Sequence, residues 1–172
     1  EQDFDVNDVV RQAQELLLLH PMMSRTEVKV QVKPDAAVPL VRGSRARLQQ
    51  VFFNLMLNAV QQMEKMPGKG ILRVITSLDS DDGARPVKVR ICDSGPGIHK
   101  RLQNRIFDPG FTTRAEGTGL GLPIARRLVE SMGGTLSIEE SFALLGTTFL
   151  VELPTATQRH AFPSNRRGEQ LW

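Results

Sequence analysis

The chain has one cysteine, Cys92, and no tyrosine among its 172 residues. One cysteine cannot close an intrachain disulfide, so no disulfide framework holds the fold, and a reducing, intracellular setting fits. Cys92 ends an apolar strand pattern and reads as a buried structural thiol rather than a nucleophile. Aromatic residues make up only 5% of the chain, which leaves little stacking surface for single-stranded nucleic acid, and the net charge of +3 is modest. Nucleic acid is therefore not an expected partner. No apolar run approaches the ~20 residues of a membrane span. From Glu1 the start is polar and acidic, without the basic opening and apolar centre of a secretory leader. The chain reads as a piece of a longer one. No glycine-rich loop ends in Gly-Lys-Ser or Gly-Lys-Thr, so a P-loop is excluded.

What is present is ordinary globular material, 40% hydrophobic and 24% charged, enough for one domain with one core. Val6 to Leu19 reads as a helix with Asp5 or Asn7 as its cap and Pro21 at its end; His20 reads as a helix-end residue, since no second metal ligand lies near it. Val28, Val30 and Val32 alternate with Lys29, Gln31 and Lys33, which predicts a strand with one wet face. Ser44 caps a long helix to about Met66, closed by Pro67-Gly68. Ile71 to Leu78 and Val87 to Cys92 form a hairpin across the charged turn Asp79 to Arg85. A short helix lies within Gly97 to Arg105, a loop over Pro109 to Thr118, and a helix over Leu120 to Met132 ended by Gly133-Gly134. Thr135 to Glu139 and Thr147 to Leu153 make the last hairpin.

The expected fold is an α/β two-layer sandwich, with a mixed, largely antiparallel sheet of about five strands and three main helices on one face. Residues 1–154 form this domain, and 155–172, polar and Arg-rich, form a loosely held tail.

Four stretches carry chemistry. Asn54 and Asn58 stand one helical turn apart within NLMLNAVQQM, so their amides project together from a helix that asparagine disfavours. An amide oxygen is a fair ligand for Mg²⁺; the plain alternative is a pair of surface or capping residues. Asp93 ends a strand before Ser94-Gly95-Pro96-Gly97, where glycine lets a ligand approach and the carboxylate can accept from an exocyclic amine such as that of adenine. Phe107 and Phe111 bracket a segment that leads to Thr112, Thr113 and Arg114, hydroxyls and a cation suited to phosphate on a lid. Gly117, Thr118, Gly119, Leu120, Gly121 and Leu122 open a helix, and exposed amides at a helix start bind phosphate. A loop rather than a strand precedes these glycines, which excludes the dinucleotide fingerprint.

In order and spacing, these stretches resemble the catalytic, ATP-binding domain of bacterial sensor histidine kinases, a fold shared with DNA gyrase, mismatch-repair and heat-shock-chaperone ATPases. The likeness runs from about Phe4 to Leu153. Asn54 and Asn58 match the asparagine box; Asp93, Gly95 and Gly97 the first glycine box; Phe107 to Phe111 the phenylalanine box; and Gly117, Gly119 and Gly121 the second glycine box. The resemblance implies ATP and Mg²⁺ as cofactors, with Asn58 as metal ligand and Asn54 beside it. Asp93 would meet the adenine amine, with Gly97 and Ile98 beneath the base. Thr113, Arg114 and the amides from Gly119 to Leu122 would hold phosphates, so Asn54, Asn58 and Arg114 would carry catalysis. Related ATPases carry a water-activating glutamate where Asn54 stands, and an amide cannot take that proton. An ATP-hydrolysing clamp and a non-catalytic binding module are the alternatives.

The likeness also implies absent partners. The family's phosphoacceptor histidine sits in an upstream dimerising helical hairpin and is followed by an acid. His20 precedes Pro21, His99 precedes Lys100 and His160 precedes Ala161, so none fits. The expectation is a monomeric, cytoplasmic catalytic domain, cut from a parent of the kind found in the inner membrane. It would not phosphorylate itself and would depend on that hairpin and a response regulator. Many such kinases carry a basic residue three positions after the second asparagine, where this chain has Gln61.

Overall fold

A computed structural model describes residues 1–78, 86–115 and 117–157. The predicted turn 79–85 lies outside the described residues, as does the tail from 158 onward, with His160. Twelve elements follow in order: β1 (Gln2–Phe4), α1 (Val6–Leu18), α2 (Pro21–Arg25), β2 (Val28–Lys33), β3 (Val41–Gly43), α3 (Arg45–Met63), β4 (Gly70–Leu78), β5 (Val87–Asp93), α4 (Lys100–Gln103), α5 (Gly121–Ser131), β6 (Thr135–Phe142) and β7 (Gly146–Leu153). Five strands form one sheet in the order β2-β4-β5-β7-β6. β2 runs parallel to β4, while β4-β5, β5-β7 and β7-β6 are antiparallel. The sheet is mixed and largely antiparallel, as the run of consecutive strands predicts.

Alternation in β5 explains the two layers. Val87, Val89 and Ile91 are buried against the helices, while Lys88, Arg90 and Cys92 occupy the other face. On that face Lys88 meets Glu152 at 3.6 Å and Arg90 meets Glu139 at 2.7 Å. Cys92 belongs to this helix-free face and is half-buried, not in the core. Burial pushes its thiol above the ordinary range, which suits an inert residue.

The helical layer centres on α3. Ser44 caps it by accepting from Arg47 N at 3.4 Å. Leu48, Val51, Phe52, Leu55, Met56, Ala59, Val60 and Met63 then recur at helical spacing and are buried. Each large apolar side chain so buried stabilises the fold by about 1.5–3 kcal/mol. This face locks the opposite stripe of α3 in place, and that stripe carries Asn54 and Asn58.

Three features depart from the expectation. Pro21 begins a helix instead of merely following one: it opens α2, whose first turn His20 caps by accepting from Met22 N at 3.2 Å. Asn7 does not cap α1; Asp5 does, and Asn7 is buried, accepting from Thr76 Oγ1 at 2.6 Å to tie α1 to β4. β1 and β3 form a small antiparallel sheet, too short to show alternation in sequence. The first residues of the predicted tail extend it. Thr155 is buried and bridges to Val41, and Ala156 donates to the Leu40 carbonyl at 2.8 Å.

Candidate functional site

A cleft of about 400 Å³ opens between α3, the turn after β5, and the loop before α5. Its lining includes Asn54, Asn58, Asp93, Gly97, Ile98, Thr112, Thr113, Arg114, Gly117, Thr118, Gly119, Gly121 and Leu122. Gly95, Phe107 and Leu120 do not line it.

Asp93 is the most constrained group. It ends β5, and its Oδ1 accepts from Gly95 N at 2.8 Å and Thr147 N at 3.3 Å. Both bonds land on one oxygen, which leaves Oδ2 as the acceptor available to the cleft. Burial raises the Asp93 pKa above its ordinary value, and the two N–H donors oppose that rise without cancelling it. Among the described residues no other carboxylate lines the cleft. Gly95 therefore acts through its N–H on Asp93. Gly97 has φ +75, and a Cβ there would overlap the Phe142 carbonyl oxygen. Glycine is needed so that the turn can pack on the β6–β7 hairpin.

Asn54 and Asn58 face the cleft from α3, and their side-chain amides make no hydrogen bond with any described residue. Two mid-helix amides without partners among the described residues are donors and acceptors held ready for a ligand. The start of α5 offers more. Its N-cap, Leu120, provides no side-chain bond, so the first-turn N–H groups at Gly121 and Leu122 lack a cap. Gly119, at φ +66, packs where a Cβ would overlap the Gly110 carbonyl carbon, and Gly110 N donates to the Gly119 carbonyl at 3.1 Å. The loop's two ends are thereby pinned together at the mouth of the helix.

Phe107 and Phe111 serve the loop differently. Phe107 lies edge-on to Phe149, ring centroids 6.4 Å apart, with the Arg126 guanidinium 4.3 Å from its centroid. It anchors the loop without touching the cleft. Phe111 lines the cleft under the Arg105 guanidinium, 4.7 Å from its centroid. Thr112 Oγ1 accepts from Arg114 N at 3.0 Å, which curls the loop and sets Arg114 on the lining.

The sequence reading missed an apolar wall of Leu57, Leu102, Ile106 and Phe149, the cleft position of His99, and the part played by Thr147. Helical spacing marks Leu57 only as another partly buried residue. Thr147 is found only through the β5–β7 register, which pairs it with Asp93.

The fold and the site define a nucleotide-binding domain: an apolar wall with one fixed carboxylate, amides unbonded among the described residues, and an uncapped helix start. A model of the histidine kinase-, DNA gyrase B-, and HSP90-like ATPase family matches residues 43–157, and the chain belongs to that family. Sensor protein TdiS of Thauera aromatica is 34% identical over 87% of this chain. Sensor histidine kinase ZraS of Escherichia coli K12 is 35% identical over 92% of it. The chain spans 27% and 32% of those two relatives, about a third of their length. Among solved structures, the nucleotide-free catalytic domain of histidine kinase ThkA aligns with a TM-score of 0.73 and 30% identity, covering 92% of this chain and 98% of that one. Full-length ShkA, solved in complex with AMPPNP, aligns with a TM-score of 0.73 and 27% identity, over 89% of this chain and 30% of that one. No helix among the described residues is long and apolar enough to cross a membrane.

Proposed function

We propose that this domain binds Mg-ATP in the cleft and donates the γ-phosphoryl to a histidine on a helical hairpin of its parent, for relay to a response-regulator aspartate. The observation that carries the reading is one cleft that joins a fixed carboxylate to two unbonded amides and an uncapped helix start. The adenine amine donates to Asp93 Oδ2, and the base lies against Ile98, Leu102, Ile106 and Phe149. The Gly117 to Leu122 segment and the α5 N–H groups receive the phosphates, with Thr113 and Arg114 closing on them.

The donor set also suits a cation that arrives with the nucleotide. No group of three or more His, Cys, Asp or Glu side chains among the described residues could hold a metal. Asn58, with Asn54 beside it, would hold Mg²⁺ through amide oxygen, the triphosphate and water completing the shell. Bound there, the ion would neutralise phosphate charge. The same lining supports transfer over hydrolysis. Asn54 cannot act as a base, and Asp93, the only described carboxylate in the cleft, gives its open Oδ2 to the adenine amine in this reading. In the transfer, a histidine nitrogen bonds to the γ-phosphorus as the bridging oxygen departs with ADP. The setting proposed is the cytoplasm, where ATP and a response regulator meet.

The test supplies a separate hairpin domain of a sensor kinase, with its histidine, together with γ-labelled ATP. The expected product is an acid-labile phosphohistidine on the hairpin, reduced at least tenfold by Asn58→Ala. ATP binding without any transfer to a panel of such hairpins would leave a nucleotide-binding module and remove the kinase reading.

A further inference from the structure

We propose that Ser141 is a positioning residue for base recognition: its hydroxyl locks the turn after Asp93 onto the β6–β7 hairpin and so aims the carboxylate offered to the cleft. The proposal rests on the reading of Asp93 as the contact for the adenine amine.

Ser141 does not line the cleft; it sits half-buried near the end of β6. Its Oγ accepts from Ile98 N at 2.8 Å and shares a hydrogen bond with Thr147 Oγ1 at 2.9 Å. Thr147 N in turn donates to Asp93 Oδ1. The stretch from Asp93 to Ile98 is therefore gripped at both ends, by Thr147 at the carboxylate and by Ser141 beyond Gly97. Between them Leu144 N donates to the Pro96 carbonyl at 2.9 Å. Leu144 holds φ +62 to do so, a left-handed conformation that a leucine rarely adopts. Such a conformation persists only where its surroundings over-determine it. The other hairpin contacts to this turn use hairpin backbone. Among the described residues Ser141 is the one hairpin side chain that hydrogen-bonds to the turn, so it is the contact that a substitution can remove cleanly.

Without the hydroxyl, Ile98 N loses its acceptor and the Thr147 hydroxyl loses its partner. The turn then samples other positions, and Asp93 Oδ2 is no longer pre-aimed. That loss falls on the base and not on the phosphates, because a recognition group held loosely binds with less of its available energy.

Calorimetry of the full chain with Mg²⁺ separates the cases, using ATP and inosine triphosphate, which carries a carbonyl where adenine carries its amine. Ser141→Ala should weaken ATP about five- to tenfold, the size of one net hydrogen bond, and inosine triphosphate by much less, since only its packing on Ile98 is touched. Ser141→Thr, which keeps a hydroxyl, should restore the ATP preference. Retained inosine triphosphate binding also reports a folded cleft. Should the alanine variant be recovered unfolded, Ser141→Cys, with a poor hydrogen-bonding thiol of similar size, gives the same comparison. Equal weakening of both nucleotides, or no weakening of either, while Asp93→Ala still loses the preference, would overturn the role of Ser141. A preference that survives in Asp93→Ala would instead overturn the reading of Asp93, and the proposal with it.

Discussion

Asp93 shows how one side chain can be costly to the fold and useful to the site. Burial raises its pKa, so the folded chain holds this proton more tightly than the unfolded chain does. The stability linked to this group is present below the unfolded value near 3.8 and is lost as pH rises through the raised folded value. Binding runs the other way. In the proposed contact the adenine amine needs the ionised carboxylate, so ATP affinity should fall as acid protonates Asp93, beginning above the range of an ordinary aspartate. Titrations across pH, with inosine triphosphate as reference to cancel phosphate ionisation, check this. Asp93→Asn separates the two roles. Its amide oxygen can still accept from Gly95 and Thr147, but its NH₂ then faces the adenine amine, donor against donor. ATP binding should weaken at least tenfold, about 1.4 kcal/mol or more, while the melting temperature at neutral pH stays level or rises. At this scale the sequence was legible where one short stretch carries the chemistry, as in Asp93-Ser94-Gly95-Pro96-Gly97. It was silent on Thr147, because 54 residues separate it from Asp93 and only strand pairing joins them.

At the scale of elements, α3 and α5 do opposite work. α3 is firmly capped and deeply buried, and it carries the two amides at a fixed spacing. α5 begins without a side-chain cap, which leaves its first N–H groups to a ligand. Ser44→Ala should therefore cost only stability, about 0.5–1 kcal/mol, with ATP affinity unchanged; a thermal melt beside a titration separates the two. Gly97→Ala should be far more damaging. Its Cβ would meet the Phe142 backbone, and φ +75 disfavours any side chain. The variant should melt well below the parent chain and bind ATP weakly. Helices and strands with strong periodicity were readable: Leu48 to Met63 shows the 3.6-residue spacing, and Val87 to Ile91 shows alternation. β1 and β3, three residues each, have no room for a period, and α2 hides behind a proline that serves as a start rather than a stop. Phe107 was legible as one of two aromatics bracketing the segment before the lid residues. Its partners Phe149 and Arg126 were not, because they come from β7 and α5.

The described residues form a five-stranded sheet covered on one face by helices, with the small β1–β3 sheet beside it and the cleft at the edge of the helical layer, where α3, the β5 turn and the α5 loop converge. The order of elements was enough to predict a mixed, largely antiparallel sheet. The parallel pairing of β2 with β4 is closed by the crossover through α3, which lies between them in the chain. With Asp93, the one described carboxylate in the cleft, given to the adenine amine as proposed, steady ATP hydrolysis by this chain alone should be negligible in a coupled ADP-release assay. Robust turnover would favour the clamp-type ATPases of the same family. Calorimetric titration of ATP into the chain, with and without Mg²⁺, beside Asp93→Ala, asks whether the carboxylate holds the base. The expected result is binding that Mg²⁺ strengthens and that the substitution abolishes or weakens by more than tenfold. Equal binding by both chains would contradict it, because the carboxylate at the end of β5 would then have no part in holding the nucleotide.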